Sequence, residues 1–156
     1  MSETQQEVAQ PGFGLEKIYV KDASVEIPNA PEIFLEREAP QIEMKLQNEA
    51  RQVGEGTYEA VLTVTLTAKV GQRTAYLVEV AQAGIFRIVN VPDDAMQLVL
   101  QITCPNMLFS YAREAISSLI GRAGFVPVYL QPVNFETLYQ QQQAQRQAPE
   151  AQPAAH

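Results

Sequence analysis

The side chains that do most protein chemistry are scarce in this chain of 156 residues. Its one histidine is His156, at the end of a run rich in Gln, Ala and Pro, so a positioned imidazole base is not expected. Ser-His-acid and Cys-His nucleophile schemes and most zinc sites fall with it. The one cysteine, Cys104, stands directly before Pro105 with no histidine partner, and it reads as a small residue packed at the start of a helix. Gly12-Phe13-Gly14 opens like a dinucleotide fingerprint, but the third glycine is missing and the residues after Gly14 are strand-like, so we read a flexible lead-in. Asp93-Asp94 and the pair Glu36 and Glu38 suit helix-start or solvated-face roles. No catalytic residue, metal site or cofactor is expected.

Charge narrows the partners further. Lys and Arg total 11 against 18 Asp and Glu, a formal charge of −7. Nucleic acid and anionic membranes need basic patches, so neither is an expected partner. The start, MSETQQEVAQPGFG, carries no basic and apolar leader, and no long apolar run encodes membrane insertion. A lone cysteine suits a reducing compartment, and a cytoplasmic location is expected.

What remains is apolar patterning. Leu15 to Ile27 alternates β-branched and aromatic residues and stops at Pro28-Asn29-Ala30-Pro31. Gln41 to Gln47 places Ile42, Met44 and Leu46 on one side and Glu43, Lys45 and Gln47 on the other. Tyr58 to Val70 keeps period two along its length, and Gly71-Gln72-Arg73 turns it into Thr74 to Gln82, with Tyr76, Val78 and Val80 on one face and Leu77 and Glu79 on the other. Four such strands predict an antiparallel β-meander in an α+β fold.

After Pro92 the period becomes helical. Asp93-Asp94 is expected to cap a short helix to about Ile102, and Pro105 suits the first turn of a longer one. On a wheel, the apolar residues between Asn106 and Arg122 cover an arc of roughly 220°, about twice what one sheet can hide. A second cover is therefore expected, from this chain or a neighbour. Phe125 to Pro132 is an extended apolar segment pinned by prolines, which marks a groove wall or an interface. Asn134 caps a final helix carrying Phe135, Leu138 and Tyr139. The domain is expected over residues 14–143, with a flexible start over 1–13 and a disordered Gln/Ala/Pro tail over 144–156.

Such surface would serve a small-molecule carrier or enzyme with carboxylate handles, or a structural or adaptor oligomer for one folded partner. Four strings favour a third reading. KDASVEIPNAPEIF, TAYLVEVAQAGIF, CPNMLFSYAREAI and LQPVNFETLY, in this order, resemble the SecB family of protein-export chaperones of Gram-negative bacteria. The resemblance implies a homotetramer, a dimer of dimers with the long helices sandwiched between sheets. It implies an ATP-independent holdase that binds unfolded preproteins and passes them to the translocation ATPase SecA. Carried over by position, the client groove falls on Ile42, Met44, Leu46, Phe125, Val128, Tyr129, Phe135, Leu138 and Tyr139. The SecA-binding face falls on Asp22, Glu26, Leu77 and Glu79, and the helix interface on Met107, Leu108, Tyr111, Ala115 and Leu119. Val78 stands where some members carry cysteine, and the tail, with only Arg146 and Glu150 charged, is assigned no contact.

Overall fold

The computed structural model describes residues 10–147. Period-two segments become four long strands, β1 Gly12–Glu26, β2 Gln41–Gly54, β3 Thr57–Val70 and β4 Arg73–Val89, in one antiparallel sheet of order β1-β4-β3-β2. The expected meander holds for β2, β3 and β4, which succeed one another through tight hairpins. Gly71, at φ +61, gives the β3–β4 reversal its left-handed corner. β1 departs from it and lies beside β4 rather than β2. The link from Ile27 to Pro40 is the physical reason: extended, it reaches on the order of 40 Å, while ~14 Å separates the two sheet edges. It crosses the end of the sheet, where Asn29 Nδ2 donates to the Thr74 carbonyl at 2.9 Å. A short 3-10 turn, Glu32–Leu35, seats Ile33 in the core on the way.

β1 also begins earlier than expected. Gly12 and Gly14 pair with Val89 and Arg87, and Phe13 stacks on Phe86 at 5.7 Å, so this segment is strand and not a lead-in. The rest of the expected flexible start lies outside the described residues.

Register gives the sheet an apolar inner face. Ala60, Leu62, Val64, Leu66 and Ala68 of β3 stand opposite Gly84, Gln82, Val80, Val78 and Tyr76 of β4. Among the described residues three α-helices follow the sheet: α1 Asp93–Leu98, α2 Cys104–Arg122 and α3 Phe135–Gln147. Pro92, not Asp93, occupies the N-cap of α1, so the two aspartates act only as first-turn charges. Between α1 and α2 the chain takes a π turn over Val99–Thr103, closed by Cys104 N–H donating to the Val99 carbonyl. Pro105 lacks the N–H that would bond back to Gln101, and the wider turn accommodates that gap.

α2 lies on β3 and β4. Cys104, Leu108, Ala112, Ile116 and Ile120, on one face of α2, are fully buried there. Gly84 lets the helix come close: a Cβ at that position would stand 3.2 Å from Leu108 Cδ2 and 2.9 Å from the Phe86 ring. The second flank of α2 is covered in part by this chain's own C-terminal segment, where Phe135 meets Phe109 edge to face at 5.9 Å. Asn134 caps α3 as expected, its Oδ1 accepting from Thr137 N–H at 3.0 Å. α3 runs to Gln147, so residues 144–147 are helical; the remainder of the expected tail is outside the described residues.

Candidate binding groove

Because α2 sits over β3 and β4, the inner face of edge strand β2 is left open. Ile42, Met44 and Leu46 stand opposite Ala68, Leu66 and Val64, all pointing to the helix side. Ile42 and Met44 are each 40% exposed there. Two recesses lie along this strand. The larger, about 350 Å³, is walled by Ile33, Phe34, Ile42, Tyr76, Phe125 and Val128. Phe125 is its centre, with the rings of Phe34 at 5.0 Å and Tyr76 at 4.8 Å. Burial raises the Tyr76 hydroxyl above its ordinary pKa. Glu36 and Glu38 stand on the rim, and Glu36 is engaged by Arg73. The smaller recess, about 50 Å³, gathers Leu46, Asn48, Phe135, Leu138 and Tyr139.

Of the nine residues expected in a groove, Ile42, Phe125 and Val128 meet in the larger recess and Leu46, Phe135, Leu138 and Tyr139 in the smaller. Met44 stands between Ile42 and Leu46 on the strand. Phe135 is almost wholly buried and serves as wall. Tyr129 goes elsewhere: it overhangs the flank of α2 beside Ser110, Arg113 and Pro127. Successive side chains of an extended segment face opposite ways, so Val128 and Tyr129 cannot share a groove. Sequence reasoning missed Ile33, Phe34 and Tyr76. The available signal for the first two was an Ile-Phe-Leu triplet held between Pro31 and Pro40.

The outer sheet face is polar. Register sets Glu26 against Leu77, Ser24 against Glu79 and Asp22 against Ala81, so Asp22, Glu26, Leu77 and Glu79 form one patch. Glu79 is partly covered and accepts from Thr65 Oγ1 at 2.9 Å. Toward the other end, Glu59 is buried on the central strand β3, where Lys21 Nζ approaches Oε1 at 2.8 Å, Arg51 Nε lies 3.4 Å away and the Tyr19 hydroxyl donates to Oε2. The Lys21 and Tyr19 hydrogen bonds hold the Glu59 carboxyl down at about 2. Burial, then the bond to Glu59, pushes the Tyr19 phenol up to about 12.

Along α2, Met107, Tyr111, Ala115 and Leu119 recur every fourth residue, with Met107, Ala115 and Leu119 half-buried at the edge of the core. Tyr111 is 49% exposed, while Leu108 is fully buried under its own helix and has no surface to offer a neighbour.

The sequence matches known proteins along nearly the whole chain. A family model described as "Preprotein translocase subunit SecB" matches residues 6–146. The chain belongs to the SecB family. Protein-export protein SecB of Dechloromonas aromatica (strain RCB) is 60% identical over 145 residues, covering 92% of this chain and 95% of that protein. The SecB of Neisseria gonorrhoeae (strain ATCC 700825 / FA 1090) is 51% identical over 138 residues, covering 88% and 94%. Among solved structures, the SecB-like chaperone of Mycobacterium tuberculosis, in complex with a peptide from an antitoxin, superposes with a TM-score of 0.63 at 12% identity, covering 78% of this chain and 87% of that one. That likeness confirms the fold: a four-stranded antiparallel sheet, a long helix and a C-terminal helix. SecB is a family of protein-export chaperones, and this chain is a member by sequence over nearly all of its described length. Among its described residues no helix is long and apolar enough to cross a membrane.

Proposed function

We propose that this SecB-family chain is a cytoplasmic, ATP-independent holdase that keeps unfolded preproteins translocation-competent. The observation that carries the reading is the open inner face of β2, where Ile42, Met44 and Leu46 run between an apolar recess and a smaller one of mixed lining. Burial there contributes about 25 cal/mol per Å², so an apolar client segment gains affinity without a matched sequence. Aromatic walls suit many clients, since they present large apolar area and require few specific hydrogen bonds. A folded protein has no such segment to offer, which makes the binding selective for chains that have not folded.

Two further parts complete the proposal. The strip Met107, Tyr111, Ala115 and Leu119 is the surface through which copies associate into a dimer of dimers, giving each client several grooves at once. The patch of Asp22, Glu26, Leu77 and Glu79 is the docking face for SecA. Its exposed carboxylates steer a basic partner, each ion pair adding about 0 to 1 kcal/mol. The net charge of −7 agrees with a protein partner rather than nucleic acid or membrane.

The test is a refolding assay on a reduced, slowly folding precursor diluted from denaturant. Stoichiometric amounts of this protein should slow its refolding several-fold without nucleotide. An unchanged refolding rate would remove the proposal.

A further inference from the structure

The smaller recess contains a polar group that the apolar reading leaves unused. Asn48, on the inner face of β2, donates through Nδ2 to the Leu100 carbonyl at 3.1 Å, within the π turn that joins α1 to α2. That bond fixes the orientation of the amide. One of its two N–H groups is occupied, and its oxygen is the acceptor left over. Among the described residues Asn48 Oδ1 is the buried side-chain atom without a hydrogen-bond partner. Native structures rarely keep a buried acceptor unpaired, because the group has lost water and gained nothing in return.

Asn48 lines the recess of about 50 Å³ together with Leu46, Leu138, Tyr139, Gln101 and Gln142. Three of these, Leu138, Tyr139 and Gln142, belong to α3, which closes the recess in the free chain. Leu46, Leu62, Phe135 and Leu138 form one wall of the recess, Gln101, Tyr139 and Gln142 add polar groups to it, and its small volume leaves no room for a sizeable ligand separate from the client. An unfolded client poses a different demand. Its apolar side chains bring with them one backbone N–H per non-proline residue, and each N–H taken out of water needs an acceptor.

We propose that Asn48 Oδ1 accepts a hydrogen bond from a backbone N–H of the bound client segment. The inference rests on the client-groove reading and deepens it. The recess around Phe125 takes side chains, whereas the recess at Asn48 reads the main chain, which every client shares. Affinity gained there does not depend on client sequence. The segment reaches Asn48 as α3 yields, with Leu138 and Tyr139 closing over it.

The experiment uses the full chain and a short, unstructured fluorescent peptide of alternating aromatic and aliphatic residues, with a set of derivatives each carrying one amide-to-ester replacement. An ester deletes one N–H and adds no bulk. Binding of the parent peptide is first compared between the natural protein and Ile42→Asp. If Ile42→Asp binds it as well as the natural protein does, the groove reading itself is wrong. Given a groove-dependent peptide, one ester position should weaken binding about tenfold, the worth of one buried hydrogen bond. In Asn48→Leu that same ester should cause no further loss. Equal effects at every position, or an ester effect that persists unchanged in Asn48→Leu, would overturn the inference while leaving the groove intact. If Asn48→Leu does not fold, the ester scan on the natural protein decides: one dominant position supports Asn48 as acceptor, and a flat profile refutes it.

Discussion

Glu59→Gln should destabilise the protein at neutral pH and do so progressively less as the solution is acidified. Glu59 lies on the central strand β3 and is 7% exposed, and its carboxyl is held at about 2 against an ordinary 4.5. At about 1.36 kcal/mol per pKa unit, the difference of roughly 2.5 units corresponds to about 3 kcal/mol of stability. The side chains of Lys21 and Arg51 are 45% and 71% exposed, so solvent screens both cations and about 2 kcal/mol is the better expectation. The direction of the shift sets the sign. A depressed carboxyl stabilises the fold above its unfolded pKa, and that contribution is lost as pH falls from 4.5 through 2. Gln imitates the protonated acid in shape, so the gap between natural protein and variant should shrink below half by about pH 3. The assay is urea unfolding at about pH 7 and pH 3 at one fixed protein concentration, because association adds to apparent stability. At neutral pH the melting temperature should fall by about 4–8 °C. A gap as wide in acid as at neutral pH, or none at neutral pH, would show that the cluster does not tie β1, β2 and β3 as described. Tyr19 gives the mirror case: its raised phenol, at about 12, contributes stability below pH 10 that is lost as pH rises through 12, and Tyr19→Phe should flatten that alkaline limb.

Three other expectations concern separate surfaces. Tyr111→Glu should lower the native mass seen by sedimentation, since it places a charge in the apolar strip of α2; an unchanged mass would move the interface elsewhere. The double variant Asp22→Lys, Glu79→Lys should weaken SecA binding about tenfold at low salt and less at high salt, and calorimetry across a salt series would reveal an effect that ignores salt and so contradicts steering. Cys104 is buried and its thiol is pushed up to about 12. Alkylation at about pH 8 should therefore track unfolding, and rapid labelling of the folded protein would contradict the packing of α2.

The strands were legible because alternation is local. Tyr58 to Val70 declares its two faces residue by residue, and the fold honours them. The place of β1 was not legible, since pairing across the link from Ile27 to Pro40 leaves no mark in either strand's pattern. The arc of α2 announced a second cover from this chain or a neighbour, and part of it proved to be the chain's own Phe135. Leu108 and Tyr111 looked equivalent on the wheel and differ only by which side of the helix meets the sheet. In the groove, Ile42, Met44 and Leu46 were readable from period two. Phe34 and Tyr129 were not, because their orientation depends on a proline-bound loop and an extended crossover that carry no period. Asn48 lies just past the expected strand of Gln41 to Gln47, and only the π turn set against it gives its amide a direction.

The central claim is that clients lie on the inner face of β2, and a photo-crosslinking residue tests it most directly. Met44 and Glu43 are adjacent and both exposed, but they point to opposite faces of the sheet. With the crosslinker in place of Met44, an unfolded precursor should be captured on illumination, and its folded form should not. With the crosslinker in place of Glu43, capture should be slight. Equal capture from both positions, or capture from the Glu43 position alone, would contradict the account.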